Sequence, residues 1–326
     1  ESNNLAIRTI CNSLKKGRVV ISSVEHPSVT NTVNKLKYLG WEVLFWPVDN
    51  KGVIKIDMID EILSPPTKFV SLIWGQGEIG TIQPINIIGK ACKDRNILFH
   101  TDATQVLANG LFDWEKLNVD LLSASSHKLQ GPKGVGMLMI KKESRSKIKP
   151  FNTGGMQESS LRSGTQSVPS IAGFALAINL INKKIEIDNY STIFSEDKVS
   201  LFTNKLKEKL TSNNRLTPTG HDIYRIPNHL SFICHTKTKQ PLLGRDLVRQ
   251  LSKRNIYASS GSACSSSHQG PNSILTAINI DTKYRECGIR FSVGPWIDNY
   301  DIDNIYDLIN DSLLELEKKV NITNDS

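Results

Sequence analysis

The chain has 326 residues, enough for one large domain or two ordinary ones, so a sizeable core can form without disulfide bonds or metals. Hydrophobic residues make up 39% and charged residues 22%, as in globular proteins, and no apolar run approaches the ~18 residues of a membrane span. The formal net charge of +8 is scattered among acidic residues, which argues against nucleic acid as the primary ligand.

The number and spacing of the cysteines indicate the redox state of the compartment. Five cysteines stand at positions 11, 92, 234, 264 and 287, without a C-x-x-C pair or a histidine at metal-ligand spacing beside one. An odd number without paired spacing is typical of free thiols in a reducing compartment and argues against a disulfide framework or a zinc site. We therefore predict a cytoplasmic protein that holds no metal.

Short apolar runs alternate with amphipathic stretches through the first half of the chain. The predicted strands are residues 19–22, 43–46, 69–74, 97–101, 119–124 and 135–140. Helices are predicted over Ser28–Leu39, with Ser28 as N-cap and Gly40 just past the end, and over about Pro84–Arg95. This alternation predicts an α/β fold with a mostly parallel sheet between helices and ligands at the carboxyl ends of the strands.

The second half reads as a smaller α+β domain. A helix over 171–181 is followed by a charged stretch, and we predict a large domain over residues 1–182 and a small one over residues 183–326. The elements predicted for the small domain are a polar helix to about 210, a strand at 229–234, a helix near 243–254, a strand at 288–292 and a last helix from 301 to about 320.

Polar side chains follow two successive predicted strands. Asp102 comes directly after the strand that ends at residue 101, and Ser125, His127 and Lys128 follow the next strand. Pyridoxal phosphate needs a lysine to form a Schiff base, a carboxylate that keeps its pyridine nitrogen protonated, and donors around its phosphate. These four residues offer all three groups. The alternative is that Asp102 caps a helix and Lys128 is an ordinary surface lysine.

Three more side chains carry possible chemistry. His26 follows the first strand, where an imidazole can stack on a cofactor ring or simply begin a helix. Cys264 lies in a serine-rich loop too polar to bury, which favours an accessible nucleophilic thiolate over an incidental cysteine in a flexible linker. Arg290 alternates with apolar neighbours in a strand, as expected for a site that binds a substrate carboxylate or for a structural ion pair.

An ordered set of motifs runs along essentially the whole chain. The motifs are ESNNLAI from Glu1, EH at Glu25, EIG from Glu78, DATQ from Asp102, SSHK from Ser125, RSGT from Arg162, SSGSAC from Ser259 and RFSVG from Arg290. Together they resemble the cysteine desulfurases, which are fold-type I pyridoxal-phosphate enzymes of the aminotransferase class V group. Single motifs are weak signals, whereas the ordered set is specific.

The resemblance implies a role for each cofactor residue. Lys128 would attach pyridoxal 5'-phosphate, Asp102 would pair with the pyridine nitrogen, and Gln105 would bond the ring hydroxyl. His26 would stack on the ring and help to move protons. The phosphate would be bound by Ser125, by His127 and by Thr165 from the partner subunit of a homodimer.

The resemblance also implies the reaction. Arg290 would hold the carboxylate of L-cysteine, and Cys264 would take the substrate sulfur as a persulfide and release alanine. The persulfide would pass to acceptor proteins for iron–sulfur cluster or thio-cofactor assembly. The alternatives are a selenocysteine lyase-type enzyme on the same scaffold, and a non-catalytic truncated fragment that dimerises or binds sulfur acceptors.

This chain departs from the family pattern in three places. Gly77 stands where the family often has an asparagine that touches the cofactor or substrate. Met156 and Ser160 replace glycines in the loop before Arg162. The conformation of that loop, and with it the position of Thr165, can therefore differ from the family pattern. In the family, a phosphate-binding threonine and some tens of residues precede the residue that matches Glu1, so we expect an N-terminally truncated sequence.

Overall fold

The computed structural model describes residues 1–188, 192–261, 273–297 and 300–324. The chain forms two compact units. Unit 1 comprises Glu1–Val48, Val53–Gln76 and Ile82–Ser195, and unit 2 comprises Asp49–Gly52, Gly77–Thr81 and Glu196–Ser326. The boundary between functional domains after residue 182 stays a prediction. Within the described residues, every helix is too short or too polar to cross a membrane.

Unit 1 is built around a six-stranded sheet in the order β2-β1-β3-β4-β5-β6. Its strands are β1 (Arg18–Ser22), β2 (Glu42–Trp46), β3 (Thr67–Ile73), β4 (Leu98–Asp102), β5 (Leu121–Ser125) and β6 (Gly136–Ile140). All neighbouring pairs are parallel except β5 and β6. The predicted mostly parallel sheet is therefore confirmed, and each predicted strand ends within two residues of an observed one.

Helices of unit 1 connect these strands and provide its core. They are α1 (Ser2–Ser13), α2 (Pro27–Leu36), α3 (Ile59–Ile62), α4 (Ile85–Asp94), α5 (Thr104–Leu107), α6 (Lys142–Arg145) and α7 (Val168–Asn179), followed by the antiparallel strands β7 (Ile185–Ile187) and β8 (Thr192–Phe194). Ile7 and Ile10 of α1 pack with Val29 and Val33 of α2 in one core cluster. Asn3 is also buried on α1.

The start of α2 differs from the prediction. Its N-cap is His26, whose ring accepts a hydrogen bond from the Ser28 backbone N–H, so the prediction of Ser28 as N-cap is wrong. The reason is Pro27, which suits the first helical position and restricts the residue before it to extended backbone. His26 accordingly has φ −68° and ψ 146°. A 3₁₀ turn, Lys37–Leu39, continues directly from α2. Gly40 follows that turn with φ 83°, as predicted.

Unit 2 contains a three-stranded antiparallel sheet in the order β11-β10-β9. Its elements are α8 (Lys198–Thr211), β9 (Leu216–Pro218), β10 (His229–Cys234), α9 (Gly244–Ser252), α10 (Ser273–Ala277), β11 (Gly288–Ser292) and α11 (Ile302–Asn324). Phe232, Leu247 and Leu313 bring the sheet, α9 and α11 into one core. Arg215 and Glu317 form a nearly buried ion pair that fastens α11 beside β9.

Candidate active site

The Asp102 carboxylate is held at the carboxyl end of β4. The residue is buried, and its Oδ1 accepts a hydrogen bond of 3.0 Å from the Thr104 backbone N–H at the start of α5. Its Oδ2 accepts a hydrogen bond of 2.7 Å from the Asn3 side-chain amide. Asp102 therefore bonds the first backbone N–H of α5 with one oxygen and a side chain of α1 with the other, while the N-cap of α5 itself is Ala103.

Three more candidates lie just past β5. Ser125 ends that strand, and Ser126–Leu129 form a 3₁₀ turn that leaves His127 and Lys128 exposed. The Ser125 Oγ lies 2.8 Å from the His127 Nδ1. Asp102 pairs with Ser123 across the neighbouring parallel strands, so the carboxylate and the turn share one edge of the sheet. Burial, together with nearby Lys128 and Lys133, lowers the pKa of His127 and favours its neutral form.

His26 lies within electrostatic reach of both charged candidates. Burial lowers the pKa of His26, the Asp102 carboxylate opposes that shift, and the Lys128 ammonium adds to it. The His26 Nδ1 lies 2.8 Å from the Ser28 Oγ and accepts from the Ser28 N–H at 3.1 Å. The structure thus brings His26, Asp102 and Lys128 together at one end of the unit 1 sheet.

Gln105 and Thr165 occupy different settings. Gln105 is half-buried in the first turn of α5, three residues beyond Asp102. Thr165 is exposed in the segment that leads into α7. The hydrogen bond predicted from Gln105 to the cofactor hydroxyl, and the action of Thr165 in a partner subunit, stay predictions.

The loop before Arg162 adopts an unusual backbone. Glu158, Ser159 and Ser160 have φ values of 50°, 54° and 63°, in the left-handed region that favours glycine. Arg162 then pairs with the Glu1 carboxylate through contacts of 2.7 and 3.3 Å. The RSGT motif is thereby tied to the start of α1, a contact that the sequence did not predict.

Arg290 is anchored within unit 2 by a backbone carbonyl. Its Nη1 donates a hydrogen bond of 2.8 Å to the Gly77 carbonyl oxygen. His229, a buried residue of β10, lies with its Nε2 3.1 Å from the same oxygen. Burial, with Arg225 and Arg290 nearby, holds the pKa of His229 well below its usual value, so the ring is neutral and donates to the carbonyl. Binding of a substrate carboxylate by Arg290 stays a prediction.

Cys264, the predicted nucleophile, lies outside the described residues. The other four cysteines are buried free thiols: Cys11, Cys92, Cys234 and Cys287. Burial raises the pKa of Cys11 to about 12 and that of Cys287 to about 11, so both stay protonated and unreactive at neutral pH. Among the described residues there is no group of three or more metal-ligating side chains.

Two residues near this site escaped the sequence reasoning. The Asn3 amide bonds Asp102, and the buried Glu25 carboxylate accepts hydrogen bonds from the Ser22 hydroxyl at 2.5 Å and the Ile73 N–H at 2.8 Å. Burial raises the pKa of Glu25 to about 8. Both residues lie inside the motifs ESNNLAI and EH, which was the available signal, but neither showed a chemical reason for its position.

The donor set at the sheet edge fits pyridoxal phosphate. A buried carboxylate suits a protonated pyridine nitrogen, an exposed primary amine suits an aldehyde, and a hydroxyl paired with an imidazole suits a phosphate. Asp102, Lys128 and the bonded pair of Ser125 and His127 supply these groups.

Comparison with known proteins gives the family. Residues 1–305 match the model of the aminotransferase class-V family, and the chain belongs to that family. It is 35% identical over 325 residues to the cysteine desulfurase IscS of Methanosarcina thermophila, covering 99% of this chain and 77% of that one. It is 33% identical to the mitochondrial cysteine desulfurase of Saccharomyces cerevisiae, covering 95% of this chain but only 60% of that one.

Solved structures agree with the sequence relatives. A NifS-like protein, 28% identical, superposes with a TM-score of 0.78 and covers 98% of this chain and 80% of its own. SspA in complex with cysteine, 29% identical, superposes with a TM-score of 0.74 over 91% of this chain and 80% of its own. The fold-type I architecture, the resemblance to cysteine desulfurases and the pyridoxal-phosphate dependence predicted from the sequence are confirmed.

Proposed function

We propose that this chain is a cysteine desulfurase that converts L-cysteine to L-alanine and leaves the sulfur as a persulfide on Cys264. Its relatives support the reaction class, and one similar solved structure carries cysteine. The observation that carries the proposal is the convergence of Asp102, Lys128 and His26 at one sheet edge. Lysine, carboxylate and imidazole together are what pyridoxal-phosphate chemistry on an amino acid requires.

Each of the residues proposed to bind the cofactor has a different role. When bound, pyridoxal phosphate supplies an electron sink that weakens the bonds around the α and β carbons of the substrate. Lys128 would hold the cofactor covalently, and Asp102, kept in place by two hydrogen bonds, would keep its ring nitrogen protonated. Gln105 would bond the ring hydroxyl, and Ser125 with His127 would bind the phosphate.

The sulfur step belongs to the small domain. Arg290 would bind the substrate carboxylate, since its fork of donors matches that group. The Cys264 thiolate would form a bond with the substrate sulfur while the carbon–sulfur bond breaks and the carbon takes a proton. The products are alanine and an enzyme persulfide, which a dithiol or an acceptor protein then removes. Such acceptors would be an iron–sulfur scaffold or a sulfur carrier, in the cytoplasm.

A homodimer is part of the proposal. One half of α7, together with its C-cap residue Leu180, exposes apolar side chains that are each 43% or more accessible: Val168, Ile171, Leu176 and Leu180. Phe174 and Ala177, on the opposite half, are buried. An exposed apolar face of this kind is typical of an interface, and a second copy of this chain would cover it. Thr165, just before α7, would then act in the site of the other subunit.

Alanine and sulfide formation test the function. The full chain, given pyridoxal phosphate, L-cysteine and a reductant, should form alanine and sulfide in equal amounts. Lys128→Ala should abolish the visible absorption of the bound cofactor, and Cys264→Ala should abolish sulfide release. Matched controls are Lys142→Ala, at an exposed lysine of α6, and Cys11→Ala, at a buried thiol, both of which should keep activity.

The outcome separates the alternatives. A Cys264→Ala protein with full cysteine turnover would contradict the mechanism, and retained turnover of selenocysteine alone would favour a lyase. A wild-type chain that dimerises but forms neither product would favour the non-catalytic reading. Size-exclusion chromatography with light scattering, on wild type and on Leu176→Asp, tests the α7 interface.

A further inference from the structure

The Asn3 side chain links two candidate catalytic groups. Its Nδ2 lies 2.7 Å from the Asp102 Oδ2 and 2.9 Å from the Ser28 Oγ. An amide nitrogen carries two hydrogens and accepts none, so both contacts are donations from Asn3. The reverse placement of the amide would set its oxygen against a carboxylate oxygen, and this fixes the orientation. Asn3 is buried on α1, and its bond to Asp102 is shielded from bulk water, while its bond to Ser28 is partly shielded.

The chain of hydrogen bonds continues from Ser28 to His26. Because the His26 Nδ1 already accepts from the Ser28 backbone N–H, the Ser28 hydroxyl, which accepts from Asn3, donates its own hydrogen to that nitrogen at 2.8 Å. The Ser28 backbone N–H donates to the same Nδ1 at 3.1 Å. A ring nitrogen that accepts from two donors carries no proton. The neutral imidazole of His26 must therefore bear its proton on Nε2.

The same network opposes protonation of His26. A proton on Nδ1 would displace the Ser28 hydroxyl hydrogen and leave the Ser28 N–H without its acceptor. The charged side chains around the ring are Asp102, which favours the imidazolium, and Lys128, which opposes it. Hydrogen bonds to the neutral form lower a pKa, and so does the partial desolvation of the His26 ring.

We propose that Asn3 and Ser28 are positioning residues, which hold His26 neutral with its proton on Nε2 and tie its orientation to that of Asp102. The proposal rests on the proposed function only for the roles of His26 and Asp102. The proton arrangement itself follows from the hydrogen bonds within unit 1. It explains why one amide at the start of α1 contacts both the strand that ends at Asp102 and the helix that His26 caps.

Nitrogen NMR of the histidine side chains tests the proposal on the full chain, with and without added pyridoxal phosphate. The His26 signals, assigned with a His26→Gln variant, should show an unprotonated Nδ1 and a protonated Nε2. Ser28→Ala should raise the midpoint of His26 protonation by about half a unit to one unit, the effect of one hydrogen bond to the neutral form. Ser28→Thr keeps the hydroxyl and should restore the wild-type midpoint.

Two further variants complete the test. Asn3→Leu removes the donor that orients the Ser28 hydroxyl and also a hydrogen bond to Asp102, whose charge favours the imidazolium, so the midpoint should again rise. Ser23→Ala removes a hydroxyl that bonds the Trp46 carbonyl instead, and it should leave the midpoint unchanged. Should Asn3→Leu fail to fold, the comparison of Ser28→Ala with Ser28→Thr still tests whether the Ser28 hydroxyl lowers the midpoint of His26 protonation.

A proton on the Nδ1 in the wild-type protein, or equal midpoints in Ser28→Ala and wild type, would overturn the proposal. The NMR signals need no turnover, so its failure is distinct from that of the desulfurase function. A wild-type chain with the expected tautomer but no alanine production would contradict the proposed desulfurase function and still support the positioning roles of Asn3 and Ser28.

Discussion

Replacement of Glu25 by glutamine should stabilise the protein increasingly as the pH rises. Glu25 is 5% exposed, one carboxylate oxygen accepts from Ser22 and Ile73, and the other oxygen has no hydrogen-bond partner within the described residues. Burial raises the pKa of Glu25 from the ordinary 4.5 to about 8. The hydrogen bonds from Ser22 and Ile73 oppose this shift, and the nearby Asp102 carboxylate adds to it. Glutamine has the shape of the protonated acid and does not ionise.

The magnitude follows from the two pKa values of Glu25. An acid whose pKa is raised on folding contributes stability that is fully present below the unfolded value and is lost as the pH rises through the folded value. At 1.36 kcal/mol per pKa unit, the loss in wild type is about 3 kcal/mol at pH 7 and about 5 kcal/mol at pH 9. The free energy of unfolding of Glu25→Gln should lack this loss.

Urea unfolding at pH 5, 7 and 9 and fixed cofactor concentration measures the difference between the two proteins. It should grow by about 4 kcal/mol between pH 5 and pH 9, with most of the change below pH 8. Glu61→Gln, at an exposed position of α3, is the matched control and should show no such trend. A difference that stays constant across the three pH values would refute the argument from burial.

Three other changes should alter the free energy of unfolding. Ser160→Gly relieves a left-handed backbone and should stabilise by about 1 kcal/mol, seen as a higher melting temperature. Glu317→Gln leaves Arg215 without its carboxylate in a site where both side chains are 13% exposed or less, and should cost about 3 kcal/mol in urea unfolding. Gly89→Ala would place a Cβ well inside van der Waals contact distance of the Asn118 carbonyl oxygen and should cost about 1–3 kcal/mol by the same assay.

The strands were predictable because their signal is local. Runs such as Val19–Ser22 and Phe69–Trp74 are β-branched or apolar, and they are separated by amphipathic stretches long enough for a helical crossover. The start of α2 was less predictable, since a serine and a preceding proline compete to define it. The proline prevails because it removes a backbone donor and fixes φ, whereas a serine cap is optional.

The residues of the candidate site likewise divide into those with a local sequence signal and those without one. Asp102 and Lys128 could be proposed from the sequence because each follows a predicted strand, and strand ends meet at one edge of a parallel sheet. Asn3 could not, because its partner Asp102 lies 99 residues away and a lone asparagine in a helix has no local signature. Glu25 is similar, since its burial depends on a donor from Ile73, 48 residues along the chain.

The glycine at position 77 shows how a departure from the family pattern can be accommodated. An asparagine side chain is missing there, yet the Gly77 carbonyl oxygen accepts from Arg290 at 2.8 Å and lies 3.1 Å from the His229 Nε2. A backbone carbonyl offers two lone pairs, so it can satisfy both donors at once. Because β10 and β11 are adjacent and antiparallel, the two donors are already fixed side by side. The hydrogen bond that orients Arg290 is therefore made to the backbone at position 77 and needs no side chain there.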